Sequence, residues 1–99
     1  MGLRRKVSWL HKTRRTIMRT VAELPHPDFK ITIFSMNQKF IVKFEQGNLE
    51  QVFKLSEMDV TDGVNGIFQM IDDEFSEAVN SQFQSMRNAF IATFNRHEQ

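Results

Sequence analysis

Leu3, Val7, Leu10, Ile17, Val21 and Leu24 recur at alternating four- and three-residue steps, with Arg14 at the one place where the series lacks an apolar group. That spacing predicts a helix over residues 1–24 with an apolar seam. Arg4, Ser8, Lys12, Arg15 and Arg19 fall on a neighbouring face, so one side of the helix is basic. Pro25 and Pro27 end it, because proline lacks the backbone donor and biases the residue before it away from helical angles. Residues 25–28 then read as a stiff, proline-rich linker.

Beyond the prolines the period becomes two. Phe29, Ile31 and Ile33 alternate with Lys30, Thr32 and Phe34, and Asn37-Gln38 supplies a two-residue turn. In that register Ile33 faces Val42, Ile31 faces Phe44 and Lys30 faces Glu45, so apolar meets apolar and cation meets anion. Gly47-Asn48 marks a second turn, since a leading glycine suits the type II′ hairpin; a four-residue loop from Gln46 to Leu49 would keep the same parity. This parity pairs Val42 with Phe53 and Phe40 with Leu55, and it also sets Glu45 against Glu50, a like-charge pair. The expected strands run over 28–36, 39–45 and 49–55, with one oily face on which Phe53 is central.

From Asp62 to Asn95 the helical period returns. Val64, Phe68, Ile71, Phe75, Val79, Phe83, Met86, Phe90 and Phe94 fall at steps of three and four, opposite Asp73, Glu77, Asn80, Gln84 and Arg87. One helix over 62–95 is expected, roughly 50 Å long, with its bend at Asn80-Ser81, where neither residue favours a helix interior. Strands of about eight residues span only ~27 Å. A sheet of that size leaves Phe83, Met86, Phe90 and Phe94 in need of another surface, the N-terminal helix, a second copy of the chain or both, and a homodimer joined through these residues is expected. The fold class is therefore α+β: an N-terminal basic helix, a three-stranded antiparallel meander, and a long C-terminal helix packed on one sheet face.

Charge adds a second asymmetry. Residues 1–22 hold seven of the thirteen basic side chains and no acid, whereas Leu24 onward holds six basic and eleven acidic groups, so a net charge of +1 hides two opposed segments. A basic, acid-free stretch points to an anionic partner. Arg4, Lys12, Arg14, Arg15 and Arg19 are candidate contacts to nucleic-acid phosphates, with Trp9 available to stack on a base; an acidic protein surface, the chain's own Asp73 and Glu77, or a membrane surface would satisfy the same charges. An Arg-rich, acid-free leader is also the composition of an organellar transit peptide.

Phenylalanine carries the apolar content, with ten Phe against five Leu, one Trp and no Tyr, which predicts a Phe-rich core. The absence of cysteine excludes a disulfide scaffold and thiolate chemistry, and with it the expected compartment is the cytoplasm. Apolar runs are too short for a transmembrane segment. Lys6 stands where N-myristoylation needs Ser or Thr.

Catalytic chemistry finds no footing. His11, His26 and His97 each lack a second ligand at helical spacing. Asp72, Asp73 and Glu74 point about 100° apart on a helix and cannot converge on one cation. Gly63-Val64-Asn65-Gly66 lacks the lysine and spacing of a phosphate loop, and no serine sits in a nucleophile setting. No cofactor or metal is expected. The sequence thus reads as a non-enzymatic, self-associating interaction module, with nucleic-acid binding by the basic helix as the alternative.

Overall fold

Two short turns set the sheet. In the computed structural model, which describes residues 18–98, Asn37 and Gln38 both take positive φ (51° and 62°), the type I′ geometry whose twist matches that of paired strands. Gly47 alone is positive in the second turn (φ 61°), as a type II′ hairpin requires. Between and beyond them run β2 (Lys30–Met36), β3 (Lys39–Gln46) and β4 (Leu49–Ser56), preceded by β1 (Arg19–Leu24). Ile33 lies opposite Val42, Ile31 opposite Phe44, Val42 opposite Phe53 and Glu45 opposite Glu50. Each of these pairings is the one that the alternation of the sequence dictates.

The sheet has four antiparallel strands in the order β1-β2-β3-β4, one more than the sequence suggested. The additional strand corrects the N-terminal helix, whose predicted last turns are extended. Residues 1–17 lie outside those described. Over the six residues of β1 the helical and the extended patterns cannot be told apart: Ala22 and Leu24 share a face at a spacing of two, and both pack against the core. Pairing decides the matter, with Leu24 opposite Ile31 and Ala22 opposite Ile33. Val21 is an extra residue, forming a bulge between Thr20 and Ala22. Residues 25–28 are therefore a connection within one sheet, since β1 belongs to the same body as the strands that follow.

A 3₁₀ turn (Glu57–Asp59) leads to two helices, α1 (Gly63–Met70) and α2 (Asp73–His97), where the sequence suggested a single one. The break falls at Ile71-Asp72, and Asn80-Ser81, the expected bend, lies inside α2. Asp72 causes the break. Its backbone is extended (φ −91°, ψ −178°), and its carboxylate accepts the Phe75 N–H at 2.8 Å, a side-chain cap for the first turn of α2. Asp73 and Glu74 then sit in the first turn and Arg96 and His97 in the last, each on the favourable end of the helix dipole.

Gly66 lets α1 approach the turn before it. A Cβ there would stand 2.9 Å from Val60 Cγ1 and would collide with the Thr61 carbonyl oxygen. Gly66→Ala is expected to destabilise the protein by about 1–3 kcal/mol despite alanine's higher helix propensity. Urea unfolding followed by circular dichroism measures it, and a stabilised variant would show that α1 can tilt away freely.

The core lies between the two helices and one sheet face, built from Phe29, Ile31, Ile33, Phe40, Val42, Phe44, Ile67 of α1, and Val79 and Phe83 of α2. At its centre Phe44 meets Phe29, Phe53 and Phe75 edge-on, with ring centroids 5.5, 5.8 and 5.7 Å away. Such edge-to-face contacts set the positive ring edge against the negative face. Phe53, expected at the centre of the oily face, is 38% exposed because β4 is an edge strand.

Candidate interaction surfaces

The apolar stripe of α2 divides in two. Phe75 packs on Phe44 and Phe53, the Val79 carbonyl accepts from Gln51 Nε2 at 2.9 Å, and Phe83 is fully buried near Phe29. Met86 is partly buried against the same cluster. From Arg87 to Glu98 every residue is exposed, because a 25-residue helix runs about 37 Å and outlasts the sheet beneath it. Of the four residues expected to form a partner contact, Phe83 is thus part of the chain's own core and Met86 leans on it. Phe90 and Phe94 remain in solvent, 60% and 53% exposed, their rings 6.4 Å apart with Ile91 beside them.

A polar clamp marks the boundary between these halves. Gln46, the last residue of β3, donates from Nε2 to the Asp28 carbonyl at 2.8 Å and to Asn80 Oδ1 at 3.1 Å, while its own Oε1 accepts from Arg87. His26 stacks on Phe29, with centroids 4.1 Å apart and planes 4° from parallel, and accepts the Asp28 N–H at Nδ1. The β1–β2 connection, the end of β3 and the middle of α2 are thereby tied together. A shallow hollow of about 370 Å³ beside the clamp is lined by His26, Asp28, Asp73, Ser76, Glu77 and Asn80. Among the described residues no three His, Asp or Glu side chains converge closely enough to hold an ion.

A second hollow, about 200 Å³ and lined only by apolar groups, opens beside β4 between Val42, Phe44, Phe53, Leu55, Ile67, Met70, Ile71 and Phe75. Phe53 and Met70 stand at its mouth, both partly in water.

Of the predicted anion contacts, Arg19 lies on β1 opposite Ser35 and is exposed, where a helical position was expected. Arg4, Trp9, Lys12, Arg14 and Arg15 lie outside the described residues. No helix among the described residues is long and apolar enough to cross a membrane. Nothing in the sequence pattern pointed to the Gln46 clamp, whose partners are 18 to 41 positions away along the chain. No family model, curated protein or solved structure matches this chain.

Proposed function

We propose that this protein is a small non-enzymatic module that acts by self-association and protein contact. One observation carries the reading: large apolar side chains stand in water where the fold leaves them uncovered. Phe90, Ile91 and Phe94 occupy the projecting end of α2, and Phe53 and Met70 line the border beside β4. Scattered apolar residues are ordinary on a protein surface, but large ones grouped at two places on an 11.7 kDa chain are what a partner would cover. The polar groups of the clamp are directed at one another and hold the fold.

Light scattering on the eluting full-length chain tests this. The expected mass is twice 11.7 kDa. A single-chain mass that stays constant up to about 100 μM, a concentration at which even micromolar association would show, overturns the reading.

A further inference from the structure

We infer that two copies of this chain meet through β4, edge to edge and antiparallel about Val52, joining two four-stranded sheets into one. This rests on the self-association reading and names its surface.

The parity of β4 comes first. Glu57 N–H donates to the Gln38 carbonyl at 3.0 Å, which continues the β3–β4 ladder by one more pair. Gln38 with Glu57 has the same parity as Phe40 with Leu55, Val42 with Phe53 and Phe44 with Gln51. The odd-numbered residues of β4 thus direct their N–H and C=O groups at β3, since such groups alternate in direction along a strand. Those of Glu50, Val52 and Lys54 point away from the sheet. All three residues are exposed, Val52 by 46%.

The backbone along that border is regular, and among the described residues no strand covers it. Natural sheets blunt their edges with bulges, prolines, short strands or charged side chains, and of these β4 has only the charges Glu50 and Lys54. The opposite edge, β1, is bulged at Val21 and followed by Pro25 and Pro27. β4 is eight residues long, pairs with β3 without a register shift, and contains neither proline nor glycine.

The sequence of β4 complements itself. With a two-fold axis through Val52, Val52 meets the partner's Val52, Glu50 meets the partner's Lys54 and Lys54 meets the partner's Glu50. On the other face Leu49 meets the partner's Leu55. These three outward-pointing residues are also the three that form hydrogen-bonded pairs in this register, giving about six main-chain bonds between copies. Opposite charges facing each other across an antiparallel pair are stabilising and like charges are not. Within one chain Glu50 faces Glu45 and Lys54 faces Ile41. Among the described residues the single ion pair is Lys43 with Glu45, at 3.8 Å. The second copy sets an opposite charge across from each of Glu50 and Lys54. Because the axis is perpendicular to the sheet, both core faces lie on the same side, and the apolar hollows with Phe53 and Met70 at their mouths face each other across it.

Sedimentation equilibrium on the full-length chain tests the contact. Lys54→Glu sets like charges across both ends of the junction and should raise the dimer dissociation constant about tenfold or more, with an unchanged circular dichroism spectrum. The exchange Glu50→Lys with Lys54→Glu should restore it to within about threefold. The chain has no cysteine, so Val52→Cys introduces a single thiol, whose Cα would lie about 5.5 Å from its copy, within disulfide range. It should cross-link under mild oxidation, and Ser56→Cys, carried far from its copy by the antiparallel run, should not. A dimer indifferent to Lys54→Glu, unlinked by Val52→Cys and dispersed by Phe90→Glu overturns the β4 contact while leaving self-association in place. A chain that is single at all concentrations overturns both.

Discussion

Phe44→Ala is expected to destabilise the protein by about 3–5 kcal/mol, a large part of the roughly 5–15 kcal/mol that holds a domain of this size together. The ring is fully buried and touches three other rings edge-on, one from the loop before β2, one from β4 and one from α2. Its removal empties a space bordered by three separate elements, none of which can close it alone. Phe53→Ala, at the sheet border, should cost about 1–2 kcal/mol, since part of that ring is already in water. Urea unfolding at one fixed protein concentration compares the two, the concentration being fixed because association adds to apparent stability. A larger loss at Phe53 would move the centre of the core to β4.

Phe83→Ala should be nearly as severe, again about 3–5 kcal/mol, whereas Phe90→Ala, two turns further along the same stripe, should change monomer stability by no more than ~0.5 kcal/mol. The two residues look alike in the sequence. In the fold Phe83 is sealed beneath α2 beside Phe29, and Phe90 is 60% exposed past the clamp formed by Gln46, Asn80 and Arg87. Equal effects at both positions, read from the same unfolding curves, would mean that the far end of α2 is packed rather than projecting.

The contrast between those rings shows what periodicity can and cannot report. A step of three or four says which face of a helix is apolar, and Val79 and Phe83 are buried as that face requires. It says nothing of where the supporting sheet stops. The hairpins were legible down to individual residue pairs because two-residue turns fix register locally and a slip by one would turn Ile31, Ile33 and Val42 outward. β1 was not, because six residues with a bulge carry too little alternation and the decision belongs to Ile31 and Ile33 on the neighbouring strand. The break before α2 was written in the chain as Asp72, three residues ahead of Phe75, but it stood inside an acidic run that reads equally well as a solvated face. The candidate site was partly visible in the same way. The Glu45 and Glu50 opposition followed from the hairpin register; the unfilled side of Glu50 became apparent only once β4 proved to be the last strand of the sheet.

The bulge at Val21 limits how far such a sheet can grow. A chain whose two borders could both pair with other copies would add copies without end, as an open assembly does. Here the spare residue between Thr20 and Ala22 throws one border out of step. In the proposed β4 pair the outer border of each copy, among the described residues, is β1, so the same contact cannot add a third chain.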